Sequence, residues 1–225
     1  MPKVEAFVLA GGLSRRMGLD KARLRIGGRS MLELSKCATI AAGLPVRVVR
    51  RDAVRRCGPI GGVVTALRTC RAGVALFLSC DMPFVSGATI RRVLAAVRRG
   101  AAAAFASDDG TAGFPFALRR EVLGEVELRV ARRAFSLQSL ARALKARLVT
   151  VADSCELQNI NSPRDLQLAR SWFRRERMIL RTRTALHIPP LSISRVWPMN
   201  TASATRSPRR TRRTGEKDAA SNAST

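Results

Sequence analysis

A glycine-rich segment with three cations follows the first apolar run of the chain. It extends from Leu9 to Lys21 and reads LAGGLSRRMGLDK. Glycines let backbone amides approach phosphate oxygens, and the N-terminus of a following helix favours anions. Arg15, Arg16 and Lys21 add positive charge. The segment has neither the Gly-Lys-Ser/Thr end of a P-loop nor the GxGxxG dinucleotide pattern, so we predict a phosphate-binding loop of another kind.

A second candidate group is the carboxylate of Asp81, which follows the apolar run Val74–Ser79. The bulk of this run and its lack of alternation predict a strand that is buried on both faces. Ligands of open α/β sheets bind beyond the carboxyl ends of the strands. A single carboxylate there suits Mg²⁺, which keeps several waters and takes other ligands from substrate phosphates. We therefore predict that Asp81 binds magnesium; a turn cap before Met82-Pro83 is the alternative.

Short apolar runs alternate with amphipathic stretches over the first 170 residues or so, which predicts repeated βα units around a mainly parallel sheet. The predicted strands are Val4–Leu9, Val46–Val49, Val74–Ser79, Ala101–Ala106 and Val149–Val151. The predicted helices follow Ser30, lie around Val63–Arg71, include Ile90–Val97 and Leu137–Leu144, and begin after Ser162. Asp108-Asp109-Gly110 is interpreted as a turn.

Two of these helices have clear start signals. Ser30 and Glu33 have the spacing of a capping box, and Gly43 can end the helix that they begin. In the last helix, Ser162 is the predicted N-cap, followed by proline at the first position and an acid in the first turn.

Composition excludes several classes of site. The five cysteines are scattered without a CxxC pair and the chain has one histidine, so we expect no zinc site, disulfide framework or Ser-His-Asp chemistry. Lysine and arginine number 41 against 16 acidic residues, a balance that raises nucleic acid as a partner. With 8 Phe, 2 Trp and no Tyr, however, the chain has few aromatic side chains for base stacking. Nucleic acid is therefore not an expected partner.

The chain is predicted to contain one folded domain and a tail. We assign residues 1–175 to the domain and residues 176–225 to a basic Ser/Thr/Pro/Arg-rich tail. Beyond about Arg177 the apolar periodicity ends, and we expect disorder there. Without an apolar run of about 18 residues or a signal peptide, we expect a cytoplasmic protein that does not contact a membrane.

Three further short motifs accompany the glycine-rich loop, in the order GPIGG, CDMPF and NINSPRDL. They begin at Gly58, Cys80 and Asn159, and the loop itself fits LAGGxSxRMGxDK without a mismatch. Over roughly residues 3–175 the chain thereby resembles the molybdenum cofactor guanylyltransferase family of nucleotidyltransferases. The resemblance implies a Rossmann-like, three-layer α/β fold with a mainly parallel sheet.

The resemblance also implies an activity. Members of this family transfer GMP from GTP to the phosphate of molybdenum-molybdopterin, forming the guanine dinucleotide cofactor and pyrophosphate, with Mg²⁺ as cofactor. The implied partners are GTP and molybdopterin as substrates, with molybdoenzymes or other proteins of cofactor biosynthesis as further candidates.

By the same resemblance, roles fall on particular residues of this chain. The implied catalytic residues are Arg16, Lys21 and Asp81, and Asp81 is also the implied metal ligand. Asn159 and Asn161 are implied to lie beside the acceptor, although turn or cap hydrogen bonds would also explain an asparagine there. The implied nucleotide-binding residues are Leu9, Ala10, Gly11, Gly12, Arg15, Lys21, Asp52 and Asp81.

Two departures from the family pattern leave alternatives open. Only 14 residues separate Gly43 from Gly58, and none is asparagine, whereas relatives have a longer segment with an asparagine that helps to hold the nucleoside. Phe114-Pro115 stands where many relatives have His-Pro. A cytidylyltransferase for the same cofactor, a sugar-phosphate guanylyltransferase, or a degenerate copy that binds polyanions are the alternatives. The Asn-Ile-Asn motif at Asn159 favours the guanylyltransferase.

Overall fold

The architecture follows from apolar strands, which form a sheet with helices packed on its faces. A computed structural model describes residues 3–11, 21–51, 54 and 57–185, with side chains described up to residue 175. The strands are β1 Val4–Leu9, β2 Arg25–Ile26, β3 Arg29–Ser30, β4 Val46–Val49, β5 Val74–Ser79, β6 Ala103–Asp108, β7 Thr111–Arg119 and β8 Arg147–Thr150. The helices are α1 Met31–Ala41, α2 Pro59–Thr69, α3 Gly87–Arg98, α4 Leu123–Ala131, α5 Leu137–Ala143 and α6 Pro163–Ala185.

Six strands form the main sheet in the order β4-β1-β5-β7-β6-β8. The pairs β1–β4, β1–β5 and β6–β8 are parallel, and β7 runs antiparallel to both of its neighbours. Helices α2, α4 and α5 pack on one face, and α1 and α3 on the other. The predicted three-layer α/β fold with a mainly parallel sheet is confirmed.

Aromatic rings join neighbouring strands on the face covered by α2. The rings of Phe7, Phe77, Phe116 and Phe105 lie side by side on β1, β5, β7 and β6, with successive centroids 5.9, 4.9 and 4.6 Å apart. All four are fully buried. Cross-strand aromatic pairs of this kind stabilise a sheet by more than the burial of their area does. These pairs therefore stabilise the four central strands of the sheet.

The predicted capping box of α1 is confirmed. The Glu33 amide donates to Ser30 Oγ at 3.2 Å, and the Ser30 amide donates to the Glu33 carboxylate at 2.6 Å. Hydrogen bonds from the Ser30 amide and then its hydroxyl hold the pKa of the Glu33 carboxyl below its usual range. Gly43 follows the helix with a φ of 76°, as its predicted role requires.

Strands β1, β4 and β5 have the predicted bounds, but other elements differ. Helix α2 begins at Pro59, four residues before its predicted start, because Gly58 turns the chain with a φ of 55° and proline suits a first helical position. Strand β6 is shifted by two residues from its prediction, and β8 begins at Arg147. Helix α4 was not predicted.

Strand β7 is the largest departure from the predicted elements. Proline in a run argues against a central strand, yet Pro115 lies in the middle of β7. The pairing explains this, because Phe105 pairs with Phe116 and the next residue, Ala106, pairs with Gly113. Phe114 and Pro115 are left out of the ladder in a bulge, where a missing N–H costs nothing.

Helix α6 carries the structure past the predicted end of the domain. Ser162 caps it as predicted, since its hydroxyl accepts from the Asp165 amide at 3.1 Å. The helix runs on to Ala185, eight residues past Arg177, where the apolar periodicity ends. No glycine or proline interrupts this stretch, and most of its residues are good helix formers. Residues 186–225 lie outside the described part of the chain, and the tail stays a prediction.

Helix α6 also fixes the short hairpin that follows Lys21. The Arg170 guanidinium donates to the Arg25 carbonyl at 2.9 Å. The Phe173 ring covers Gly27, at which a Cβ would overlap that ring. The hairpin β2–β3 is thus held between α1 and α6.

A non-glycine residue in the left-handed region costs about 1–2 kcal/mol, and overpacking adds about 1–3 kcal/mol. We therefore expect Gly27→Ala to destabilise the fold by about 2–5 kcal/mol and Gly28→Ala by about 1–2 kcal/mol. Both glycines have positive φ, of 59° and 86°, but only Gly27 faces a neighbour. Denaturant unfolding of the two variants measures the difference. Equal losses would contradict the packing of Phe173 on this hairpin.

Candidate active site

A cleft of about 1350 Å³ opens at the carboxyl ends of β1, β4 and β5. Its floor includes Leu9 and Ser79, the last residues of two adjacent parallel strands. The first turn of α2 closes one side, and the turn between β6 and β7 closes the other. Such a cleft, at the point where strand order reverses, is the usual ligand site of an open α/β sheet.

The described residues at the start of the glycine-rich loop lie at this cleft. Leu9 and Gly11 line it, whereas the Ala10 amide donates to the Val49 carbonyl at 2.9 Å and continues the sheet. The Ala10 amide is therefore engaged by the protein. Gly12, Arg15, Arg16 and Asp52, also predicted for nucleotide binding or catalysis, lie outside the described residues.

Asp81 stands just beyond β5 and lines the cleft. The Ser79 hydroxyl donates to its Oδ1, which fixes the carboxylate orientation. The Asp81 carbonyl accepts from the Ile160 amide at 2.9 Å. This backbone bond ties the Asn-Ile-Asn segment to the end of β5, so two distant motifs meet at one point.

Lys21 joins these two motifs through its ammonium group. Its Nζ donates to Asn161 Oδ1 at 2.7 Å and lies 3.6 Å from Asp81 Oδ2. The Lys21 and Asp81 side chains are 18% and 21% exposed, so they are shielded yet open to a ligand. Three predicted site residues from separate motifs therefore form one cluster.

The Asn161 side chain is available to this cluster because Ser162 and Asp165 make the cap hydrogen bonds at the start of α6. The Asn161 and Ser162 amides both donate to Asp165 Oδ2, at 2.9 and 2.8 Å. The Asn161 side chain therefore does not make the cap hydrogen bond that was its alternative role. Asn159 lines the same cleft, two residues away.

Sequence reasoning missed several residues of the cleft. Arg50 and Arg51 line it just beyond β4, and Asp108 and Asp109 line it at the end of β6. A signal was present, because both pairs follow strands whose carboxyl ends reach the same sheet edge as Asp81. The remaining cleft residues that no site prediction included are Gly58, Pro59, Gly62, Ser79, Met82, Thr111, Ala112, Gly113, Leu137, Gln138, Leu157 and Gln158.

The donors at Asp81 fit one kind of metal site. Among the residues that the structure describes, no three His, Cys, Asp or Glu side chains come close enough to enclose a metal ion. A lone carboxylate at the mouth of a cleft suits Mg²⁺, which retains waters and binds substrate phosphates. It does not suit zinc, which takes about four protein ligands in closed sites. Asp81 is thus the group that would hold magnesium.

No helix in the described part of the chain is both long enough and apolar enough to cross a bilayer.

Comparison with solved structures supports the fold. A nucleotidyl transferase from Methanothermobacter thermautotrophicus superposes with a TM-score of 0.62 at 22% identity, covering 77% of this chain and 99% of the other. Molybdopterin-guanine dinucleotide biosynthesis protein A from Archaeoglobus fulgidus gives a TM-score of 0.60 at 19% identity, with coverage of 74% and 97%.

Comparison with other sequences identifies the family as well as the fold. The chain is 32% identical over 182 residues to a probable molybdenum cofactor guanylyltransferase from Opitutus terrae, covering 70% of this chain and 90% of the relative. The profile of the MobA-like NTP transferase domain matches residues 6–36 and 34–151, which include most of β1, the glycine-rich loop, Asp81 and the β6–β7 turn. With this profile matching more than half of the chain and the Opitutus terrae relative matched over 90% of its length, the chain belongs to the MobA-like NTP transferase family.

Proposed function

We propose that this protein transfers GMP from GTP to the phosphate of molybdenum-molybdopterin, forming the guanine dinucleotide cofactor and releasing pyrophosphate. The observation that carries the proposal is the cluster of Lys21, Asp81 and Asn161 at the carboxyl end of β5. Its support from relatives is the curated name of the Opitutus terrae protein, which spans the same domain.

The chemistry asks for positioning and charge neutralisation more than for covalent work by the protein. The acceptor phosphate attacks the α-phosphorus of GTP, and pyrophosphate leaves from the opposite side. The Lys21 ammonium lies 3.6 Å from Asp81, and it can exchange its bond to Asn161 for a phosphate oxygen. It would then neutralise the negative charge that grows on the transferring group.

We propose Asp81 as the residue that holds Mg²⁺ when the nucleotide binds. Bound there, the ion would neutralise phosphate charge and orient the triphosphate. Ser79 keeps one carboxylate oxygen in place, which leaves Oδ2 facing Lys21 and the cleft. Dependence on Mg²⁺ is a prediction of this assignment.

The acceptor is proposed to bind on the side of the cleft lined by Phe114 and Asn159. Asn161 then lies between acceptor and nucleotide, because its side chain reaches Lys21. An amide there can hydrogen-bond the acceptor phosphate without adding negative charge.

The base preference is a prediction for the isolated protein. We expect GTP to bind at least about tenfold more tightly than ATP or CTP, because one buried pair left unmade costs about that ratio. Asp52→Ala should weaken GTP binding more than ATP binding. Calorimetry with the three triphosphates measures both, and equal affinities would contradict guanine recognition.

Pyrophosphate release with each nucleoside triphosphate, with and without molybdopterin, tests the function. The expected result is release with GTP only when molybdopterin is present. Release with CTP would favour a cytidylyltransferase, and release with a sugar phosphate as acceptor would favour a sugar-phosphate guanylyltransferase. Salt-sensitive retention on DNA without GTP binding would indicate a degenerate copy that binds polyanions.

The cytoplasmic location and a molybdoenzyme or biosynthetic protein as binding partner stay predictions of this proposal.

A further inference from the structure

The two ends of the cleft carry opposite charge. Arg50 and Arg51 are exposed and line one end, and Asp108 and Asp109 line the other. Lys21 and Asp81 lie between them, because β5 is two strands from β4 on one side and two strands from β6 on the other. Ligand groups that accept hydrogen bonds therefore favour the arginine end, and groups that donate favour the aspartate end.

Strand spacing indicates which part of a nucleotide reaches the arginine end. Neighbouring strands lie about 4.8 Å apart, so the end of β4 is about 10 Å from the end of β5. With the phosphates at Lys21 and Asp81, a ribose along the end of β1 accounts for part of this distance. The base would then lie beyond Leu9 and Gly11, beside Arg50 and Arg51, all of which line the cleft.

The first turn of α2 leaves room for a flat ring there. Gly58 and Gly62 line the cleft next to Pro59, and none of the three presents a polar side chain. Among the described residues at this end, the arginines and the backbone groups are the ones that can recognise a base by polar contacts.

We propose, in an inference that rests on the proposed function, that the Arg50–Arg51 pair selects guanine by donating to its O6 and N7 atoms. A guanidinium presents two parallel N–H donors, and O6 and N7 of guanine are two adjacent acceptors. Adenine places an amino donor where guanine has O6, so the same guanidinium meets one acceptor and one donor. The pair would thus provide base selection from the short segment after β4.

Calorimetric binding of GTP, 7-deaza-GTP, ITP and ATP to the full-length protein tests the pair without any acceptor. We expect R50Q/R51Q to weaken GTP and ITP binding by about 10–100-fold, since both bases carry O6 and N7. For ATP and 7-deaza-GTP the same substitutions should change affinity by less than about fivefold, because each lacks one of the two acceptors. The single variants R50Q and R51Q show which guanidinium carries the contact.

Two further variants separate base reading from simple charge. R50K/R51K keeps both charges but loses the planar fork, so it should lose GTP selectivity nearly as R50Q/R51Q does. R98Q removes an exposed arginine from the last turn of α3 and should leave all four affinities unchanged. A unimodal melting curve for each variant, close to that of the wild-type protein, shows that folding is retained.

The outcomes are distinct. A uniform loss for all four nucleotides, restored by the lysine variant, would mean that the pair contacts phosphates, and the inference would be overturned. Unchanged affinities would overturn it as well. The binding measurements use no acceptor, so they can be interpreted even if the separate pyrophosphate assay shows no GMP transfer. If R50Q/R51Q transfers GMP with unchanged base selectivity, this inference is refuted and the proposed function is not.

Discussion

Asp81→Asn is expected to reduce nucleotidyl transfer by at least about 10³-fold, beyond ordinary detection, because removing one preorganised electrostatic group already costs about 10²–10³-fold. The substitution keeps the side-chain volume and removes the negative charge that would hold Mg²⁺. It also removes the anionic neighbour of Lys21, 3.6 Å away. Pyrophosphate release at saturating GTP measures the loss.

The fold should survive this substitution. The bond from the Ile160 amide goes to the Asp81 backbone carbonyl, which the variant retains, and the Ser79 hydroxyl can donate to an amide oxygen. We therefore expect a melting temperature within a few degrees of the wild-type value. Glu127→Gln is the matched control, since it neutralises a carboxylate that pairs with Arg68 far from the cleft. Full activity of Asp81→Asn would refute the metal assignment.

Lys21→Met should lower the transfer rate by about 10²–10⁴-fold, the range for losing a cation that stabilises charge on a transferring phosphoryl group. Methionine matches lysine as far as Cε and removes the ammonium that donates to Asn161 at 2.7 Å. Single-turnover rates with GTP and acceptor separate this effect from weaker binding.

The matched control for Lys21 is Lys3→Met. Lys3 is exposed and precedes β1, at the opposite edge of the sheet from the cleft. That variant should keep wild-type rates. A loss of rate below about threefold in Lys21→Met would show that Lys21 is only a surface charge, because exposed ion pairs contribute little.

The parallel strands were the most predictable part of the fold. β1, β4 and β5 lie where the apolar runs predict them. For β5 the reason is that a strand covered by helices on both faces must be apolar at nearly every position. The cap of α1 was equally predictable, since Ser30 and Glu33 interact within one helical turn.

Strand β7 shows where local pattern fails. Its proline argues against a central strand, and only the pairing with β6 shows that Phe114 and Pro115 occupy a bulge. α4 was missed for a related reason, since it is held by packing on α2 and has no side-chain cap.

For the site, the residue types and motif order determined which side chains were candidates: the glycine-rich loop, Lys21, Asp81 and the Asn-Ile-Asn segment are all readable from local sequence. Only the tertiary structure decided that Lys21 meets Asn161, 140 positions away. It also decided that Arg50 and Asp108 share one cleft. The physical reason is that motifs reflect local backbone requirements, whereas strand order determines which loop ends meet at one edge of the sheet.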